Sequence, residues 1–278
     1  DQAVFDRYMR PLAGRKVSAI TRADVQRLHA GIGQRHGKYA ANRALALISS
    51  MFSRCAANVV NPAKGVVRFP EQGRDRYLLP NEFPAFWNAL AAEPNPTWRD
   101  FFMLLLLTGA RRSNVQAMAW TDLDLDDPDL GQWRIPGEES KNGEPLPTVL
   151  SGRAVEILRR RLEENGTGQY VFPAASESGH VQEPKKPWKA LVDRAGLQGL
   201  RMHDLRRTLA SWQARGGVSL SIIGRTLGHR SVAATEIYAR LDLAPVRVAV
   251  EAATHAMLTA GRAAPLALPP AAAPKKDR

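Results

Sequence analysis

One segment, residues 201–241, constrains the fold more than any other, because glycines interrupt its helical pattern. Gly216 can end a first helix, and Gly228 can end a second one. Ser231 can cap a third short helix, in which Tyr238 is expected two turns from the start. The segment therefore predicts three short helices, which a folded chain can bring into contact.

The same segment carries side chains that suit chemistry on a phosphate. His203 and Arg206 are three residues apart and share one face of a helix, and His229 and Tyr238 follow on later helices. An arginine binds two oxygens of one phosphate through its planar fork. A tyrosine hydroxyl can attack phosphorus and form a covalent intermediate. Each residue alone more often has a packing or surface role, so it is the combination that favours a phosphoryl-transfer site.

Sequence blocks within and upstream of this segment resemble a known family. HDLRRT at 203–208, LGHR at 227–230 and a tyrosine nine residues after the second histidine resemble the C-terminal signature of the tyrosine recombinases, or phage integrases. TGARR at 108–112 resembles the block that carries the family's first arginine. Lys141, beside an Asn-Gly turn, resembles its β-hairpin lysine. The resemblance extends over residues 10–243.

The resemblance implies DNA strand cleavage and rejoining with no metal ion, nucleotide or other cofactor. Two arginines clamp the nonbridging oxygens of the scissile phosphate, and one histidine adds a hydrogen bond. A tyrosine attacks, which leaves a 3′-phosphotyrosine and a free 5′-hydroxyl. The other histidine acts as general base and a lysine as general acid. In this sequence the implied arginine clamp is Arg111 and Arg206, and the hydrogen-bonding histidine is His229. The implied nucleophile is Tyr238. The implied general base is His203, and the implied general acid is Lys141.

The resemblance also implies a mainly α (α+β) fold. It combines a small helical N-terminal domain with a mostly helical catalytic domain that contains a small antiparallel β-sheet. Composition and periodicity divide the chain at 1–69, 70–80, 81–243, 244–260 and 261–278. The first segment resembles the family's core-binding, DNA-binding domain, and the third resembles its catalytic domain. The others are predicted to be a linker, a C-terminal helix and a disordered tail. Because a helical pattern begins at the first residue without a cap, we expect the first domain to be truncated at its N-terminus.

Local signals place two helices in the first domain. Thr21 and Asp24 form a near capping box, which predicts a helix that starts there and runs to about residue 34. A second helix is predicted over 39–58, with an apolar stripe on one face. Cys55 belongs to that stripe, so we expect it to be a buried hydrophobic residue rather than a nucleophile.

Two further expectations concern the catalytic domain. The Asn-Gly pair at 142–143 predicts a hairpin tip between strands at 133–135 and 147–150. A helix capped by Ser151 is expected to follow. The run Arg159–Arg161 on this helix is predicted to be a solvated surface run.

Positive charge is concentrated near the amino terminus. The chain has 39 Lys and Arg residues and 27 Asp and Glu residues, a formal net charge of +12. Residues 1–69 hold 12 basic and 3 acidic side chains, a net charge of +9, whereas 70–243 hold 22 of each. A small segment this basic indicates nucleic-acid binding. The single cysteine excludes an intrachain disulfide, and no apolar run is long enough for a membrane span.

The resemblance implies double-stranded DNA as the partner. The composition predicts no membrane association and fits a cytoplasmic, nucleoid-associated location. The family implies a monomer in solution, a homo-tetramer on synapsed DNA, and accessory DNA-bending or directionality proteins. The predicted function is site-specific recombination that integrates or excises a mobile element. Two alternatives stay open: a type IB topoisomerase, which uses similar residues on one duplex as a monomer, and a DNA-binding module without catalysis.

The helix predicted at 244–260 carries apolar side chains that need to pack against another protein surface. Val246, Val250 and Met257 belong to its apolar set. The family implies that such a helix docks onto a neighbouring subunit, whereas the other interpretation is docking onto its own domain. The sequence leaves both interpretations open.

Overall fold

The structure, a computed structural model, describes residues 1–55, 59–127, 130–139, 143–166, 168–229, 231, 234–239 and 244–260. Its contacts divide the chain into two units, Asp1–Arg74 and Asp75–Arg278. Helices predominate in both units, and the second unit also contains a three-stranded antiparallel sheet. The predicted fold class is confirmed.

The N-terminal unit is built around two packed helices. These are α2 (Arg22–His36) and α3 (Lys38–Cys55), preceded by helical turns that comprise α1 (Gln2–Val4), a π-helical turn (Phe5–Met9) and a 3-10 turn (Arg10–Leu12). The Thr21 hydroxyl accepts the backbone N–H of Asp24, and the Asp24 carboxylate accepts that of Thr21. The predicted capping box is therefore confirmed.

Apolar side chains from both helices form the core of this unit. Its buried residues are Met9, Val25, Leu28, Ile32, Ala41, Ala44, Leu45, Ile48, Phe52 and Ala63. The expectation that Cys55 is buried is wrong, since its side chain is exposed. The reason is that Cys55 is the last residue of α3, one turn beyond Phe52. There it lines an open apolar crevice with Phe5 and Leu12.

The segment that leaves the N-terminal unit is tied to α3. The buried Asn42 side chain donates to the carbonyl of Phe69 (2.8 Å) and to the Glu71 carboxylate (2.7 Å), and it accepts the N–H of Phe69 (3.0 Å). The Phe69 ring stacks on His29, with 4.6 Å between the ring centroids. Residues up to Glu71 are thus held to the first unit by a side-chain amide that imitates a backbone partner.

The C-terminal unit surrounds one buried helix. Its helices are α4 (Phe83–Ala91), α5 (Pro96–Thr108), α6 (Arg112–Gln116), α7 (Gly152–Asn165), α8 (Lys185–Arg194), α9 (Met202–Arg215), α10 (Leu220–Leu227), α11 (Glu236–Ala239) and α12 (Ala244–Ala260). The central α5 is apolar on most of its circumference and packs against α6, α7 and α9. Of the helices that the structure describes, none combines the length and the hydropathy that crossing a lipid bilayer requires.

Gly109 ends α5 because its backbone adopts a left-handed conformation, with φ at 62°. A Cβ atom at this position would also lie 2.9 Å from the Leu209 side chain of α9. Both facts require glycine here. The turn leads the chain from the buried α5 directly to Arg111.

The sheet covers another side of α5. Its strands are β1 (Leu123–Asp124), β2 (Leu130–Ile135) and β3 (Leu146–Ser151), in the order β1-β2-β3, with Trp133 opposite Thr148. The two predicted strands are confirmed and are longer than predicted. Residues 140–142 of the connection between β2 and β3, including Lys141, lie outside the described residues.

The prediction that Arg159–Arg161 form a solvated run is wrong. Arg161 is 2% exposed; its guanidinium donates to Asp100 (3.1 Å) and to the carbonyl of Val171 (3.0 Å). Arg160 reaches the same Asp100 carboxylate from a half-buried position (2.8 Å). Successive residues on a helix point about 100° apart. Three consecutive arginines therefore cannot all face away from the α5 side of α7.

The α-helix that carries Tyr238 begins later than predicted. The backbone first makes a turn in which the N–H of Ala234 donates to the carbonyl of Ser231 (3.2 Å). Helix α11 then begins at Glu236, so Tyr238 lies in its first turn rather than two turns inside it. Ser231 is exposed, and its carbonyl closes this turn.

Candidate active site

Helix α9 is fixed at its first two turns by buried polar side chains. The Asp204 carboxylate, which is fully buried, accepts the backbone N–H of Arg201 (2.8 Å). One turn later, the buried Thr208 hydroxyl accepts the N–H of Leu78 (2.9 Å) and donates to the Asp204 carbonyl (2.8 Å). These bonds hold the turns that carry His203 and Arg206, so both side chains start from a rigid backbone.

Arg206 is the most enclosed cation of the candidate site, at 5% exposure. Its guanidinium donates to the carbonyl of Gly109 (2.7 Å) and to the carbonyl of Leu227. Those carbonyls end α5 and α10, where helix dipoles place partial negative charge. Burial lowers the pKa of Arg206 to about 10, and the nearby Arg111 acts in the same direction, opposed by Tyr238. Arg206 is therefore still a cation at neutral pH.

Arg111 adds a second positive charge to the same region. It is half-buried, has an extended backbone and sits directly before α6. Its charge acts on Arg206, on His203 and on His229. Two arginines that converge in this way produce a strongly positive site suited to a phosphate.

His229 follows α10 and is held on two sides. Its backbone N–H donates to the carbonyl of Gly224 (2.9 Å), and its ring Nδ1 lies 3.0 Å from the hydroxyl of Thr235. Partial burial, followed by the charges of Arg206 and Arg111, lowers the pKa of His229 to about 4. The ring is therefore neutral at pH 7, with one N–H and one free nitrogen.

His203 differs from His229 in its exposure. Its side chain stands at the surface end of α9. Desolvation by the surrounding protein, and then the charges of Arg206 and Arg207, lower the pKa of His203 below its ordinary value. A neutral imidazole that is open to solvent can accept a proton.

Tyr238 is almost fully buried, at 5% exposure, and packs with Ala210, Ile223 and Leu227. Burial raises the pKa of the Tyr238 hydroxyl above its ordinary value, although Arg206 pulls it down. A tyrosine hydroxyl, with an ordinary pKa near 10, needs cationic neighbours or a base to become a nucleophile at neutral pH. The cations are present, but burial outweighs them, so the hydroxyl is protonated at neutral pH.

The fold thus brings together five of the six residues singled out from the sequence, and Lys141 lies outside the described residues. Electrostatic interactions link those five: Arg111, His203, Arg206, His229 and Tyr238. Among the described residues, His, Cys, Asp and Glu do not gather into a group that could hold a metal ion.

Sequence reasoning missed the polar groups that position these side chains. The hydroxyl of Thr235 and the carboxylate of Asp204 are both fully buried and bonded. Asp204 had a local signal, since an acid three residues after Arg201 suits a helix start. The signal for Thr235 was weaker, namely a hydroxyl residue between the second histidine and the tyrosine.

A sequence profile of the phage integrase family matches residues 76–244. The chain belongs to the phage integrase family. The resemblance stated from the motif blocks is therefore confirmed, and the matched region contains all six residues singled out from the sequence.

Individual relatives are similar over different lengths. The integrase of Salmonella phage P22 is 28% identical over 182 residues, which are 62% of this chain and 45% of that integrase. Tyrosine recombinase XerC of Pelobacter propionicus is 27% identical over 262 residues, 87% of this chain and 84% of that protein. The chain therefore spans less than half the length of the phage protein and most of the length of the XerC protein.

A solved structure shares the fold. The integrase of transposon Tn1549, determined in complex with transposon right end DNA, superposes with a TM-score of 0.66 at 14% identity. The superposition covers 90% of this chain and 92% of that one. At this level of identity the likeness concerns the fold alone.

Proposed function

We propose that this protein is a site-specific DNA recombinase that cleaves and rejoins double-stranded DNA through a 3′-phosphotyrosine intermediate, and that it integrates or excises a mobile element. The observation that carries the proposal is the cluster of Arg206, Arg111 and Tyr238 in a member of the phage integrase family. Arg206 interacts electrostatically with both Arg111 and the hydroxyl of Tyr238.

The arginines are proposed to clamp the scissile phosphate. Arg206 is preorganised by the carbonyls of Gly109 and Leu227, so it does not reorganise as charge develops on the phosphate. Arg111 would bind the second nonbridging oxygen from the other side of the site. Because Arg111 and Arg206 repel each other electrostatically, the single negative charge of an arriving phosphodiester offsets that repulsion.

The histidines are proposed to divide the proton work. His229, which is neutral at pH 7, would donate a hydrogen bond from Nε2 to a nonbridging oxygen. His203 is the proposed base that takes the proton of Tyr238, because its pKa lies below the ordinary value and its ring is open to solvent. The hydroxyl oxygen then forms the bond to phosphorus as the bond to the 5′-oxygen breaks.

The leaving 5′-oxygen needs a proton, and Lys141 is the proposed donor. A lysine beside an Asn-Gly turn can reach across a site from a hairpin tip. Rejoining is the reverse sequence: a 5′-hydroxyl attacks the phosphotyrosine and Tyr238 leaves. One phosphodiester is exchanged for another in each step, so no external energy source is required.

The N-terminal unit is proposed to bind the duplex through its charge. Its first 69 residues have a net charge of +9. Phosphate contacts by such a segment release counterions and make binding depend strongly on salt. A DNA substrate of this kind would place the protein in the cytoplasm, at the nucleoid, together with accessory DNA-bending or directionality proteins.

We propose that the protein is monomeric alone and tetrameric on synapsed DNA, with α12 as the exchanged element. Helix α12 contacts α9, but Val250 and Met257 stay 58% and 67% exposed. An apolar surface of this kind on a terminal helix suits docking onto a neighbouring copy. Sedimentation with and without a paired-site DNA would measure the assembly state.

The test is covalent trapping on a nicked substrate from which the cleaved fragment diffuses away. Wild-type protein should give a protein–DNA adduct, and Tyr238→Phe should give none while it still binds DNA, because only the attacking oxygen is lost. Tyr170→Phe in the same unit is the matched control and should form the adduct normally. An adduct from the Tyr238→Phe protein would refute the assignment, and plasmid relaxation without joining of two sites would identify a topoisomerase.

A further inference from the structure

Thr235 lies between the second histidine and the tyrosine and touches the elements that carry both. Its side chain has no exposed surface. Its hydroxyl oxygen is 3.0 Å from Nδ1 of His229, and its carbonyl accepts the backbone N–H of Tyr238 (3.0 Å). One buried residue therefore fixes the ring of the histidine and the start of the helix that carries the tyrosine.

The space around the hydroxyl is formed by Gly224 of α10. A Cβ atom at position 224 would lie 3.2 Å from the Thr235 hydroxyl oxygen, closer than such contacts normally are. The carbonyl of Gly224 also accepts the backbone N–H of His229 (2.9 Å). The same glycine thus admits the hydroxyl and anchors the histidine backbone, which leaves the hydroxyl little freedom to move.

The available hydrogen-bond partners decide whether the Thr235 hydroxyl or Nδ1 of His229 is the donor. Among the described residues, Nδ1 of His229 is the one hydrogen-bond partner of the Thr235 hydroxyl. If Nδ1 carried the ring proton, the hydroxyl would accept it, and its own proton would be buried without an acceptor. A buried donor without an acceptor destabilises the folded state. The favoured arrangement is therefore O–H donating to a bare Nδ1, which puts the ring proton on Nε2.

We propose that Thr235 is a positioning residue that holds His229 in the tautomer with the proton on Nε2, and so makes that nitrogen a permanent donor to the scissile phosphate. This inference rests on the proposed function for its catalytic consequence, but not for the tautomer itself. The neutral state of His229 at pH 7 supports it, because only a neutral ring has a tautomer to select.

The first measurement is the nitrogen spectrum of His229 in the free protein. Long-range ¹⁵N–¹H correlation on histidine-labelled protein distinguishes a protonated from a bare ring nitrogen, and His229→Gln assigns the signals. Wild type and Thr235→Ser should show the proton on Nε2, because both retain the hydroxyl. Thr235→Val, of nearly the same shape, should show a mixture. A wild-type ring protonated on Nδ1 would overturn the inference, whatever the Thr235 variants show.

The second measurement is the rate of adduct formation on the nicked substrate. Thr235→Val should lower this rate by on the order of 10- to 100-fold, as for loss of orientation in one donor, with DNA binding unchanged. Thr235→Ser, which keeps the hydroxyl and lacks the methyl group, should recover most of the rate. If Thr235 acted only by filling space with its methyl group, this variant would not recover the rate. Equal rates for wild type and Thr235→Val would overturn the inference and leave the proposed function standing. Absence of any adduct with wild type would refute the proposed function, while the spectrum would still decide the tautomer.

Discussion

Arg161 and Arg206 are both buried in the C-terminal unit, at 2% and 5% exposure, yet they differ in their partners. Arg161 shares the Asp100 carboxylate with Arg160. Arg206 donates to two helix-end carbonyls and, within the part of the chain that the structure describes, to no carboxylate. A buried arginine that forms an ion pair with a carboxylate has its charge balanced within the protein, and the pair supports the fold. A buried arginine held by carbonyls keeps its charge for an incoming anion.

The same contrast appears in the pKa values around the two sites. Burial lowers the pKa of both arginines, but Asp100 opposes this effect at Arg161, whereas Arg111 adds to it at Arg206. The uncompensated charge at Arg206 then reaches its neighbours and helps to lower the pKa of His229. A buried charged group that also shifts the pKa values of its neighbours indicates an active site more strongly than burial alone.

The largest effect is expected from Arg206→Met on cleavage. Adduct formation should fall by on the order of 10²-fold or more, since a preorganised donor to the transition state is lost. The free energy of unfolding should change by under about 2 kcal/mol, because relief of a desolvated charge offsets the lost hydrogen bonds. Arg206→Lys should recover only part of the rate, as an ammonium cannot bridge both carbonyls. Cleavage by Arg206→Met at the wild-type rate would break the comparison.

Arg161→Met should have the opposite profile. It leaves the buried Asp100 with the half-buried Arg160 and the more distant Arg99 (3.4 Å), so the free energy of unfolding should fall by about 3 kcal/mol, measured by urea titration. Adduct formation per folded molecule should be unchanged. Arg153→Ala on the same helix, which breaks an exposed pair with Glu156, is the control and should cost under about 0.5 kcal/mol. A folded Arg161→Met protein without cleavage would show that Arg161 also serves the site.

The smallest effect concerns the titration of His229. Its pKa of about 4 in the folded protein lies below the ordinary 6.5, so the unfolded chain binds the proton more readily. Stability from this group is therefore present above pH 6.5 and is lost as the pH falls towards 4. Arg206→Met should raise the pKa of His229 by about one unit, since one of two nearby cations is removed. Arg161→Met should leave it unchanged. NMR titration of the His229 ring measures its pKa in both variants. Equal pKa values in wild type and Arg206→Met would show that the charge of Arg206 does not act on His229.

Much of the helical framework could be predicted because its signals are local. The capping box at Thr21 and Asp24 and the glycine after α10, Gly228, each act within four residues of the element that they start or end. The candidate site residues could be named for a similar reason, since each stands in a short block whose chemistry is visible in the residue types. Neither inference required knowledge of which elements pack together.

Burial, in contrast, could not be read from the same blocks. Cys55 fits the apolar stripe of α3 but lies one turn beyond the core, and its side chain is exposed. The three consecutive arginines of α7 look equivalent in the sequence, yet only Arg161 is fully enclosed. Apolar periodicity identifies which face of a helix is buried. How far along the helix that face is covered depends on the element packed against it, which periodicity does not reveal.

The sequence by itself determined the helical character of the chain, the concentration of charge in its first 69 residues and the residue types of the candidate site. Only the tertiary structure decided that Arg206 rests on the carbonyls of Gly109 and Leu227, and that the hydroxyl of Thr235 meets His229. The physical reason is that residue type sets which charge and hydrogen bonds a side chain can offer. Its partner, its dielectric surroundings and therefore its pKa depend on groups that are distant in the chain and meet only when the helices pack.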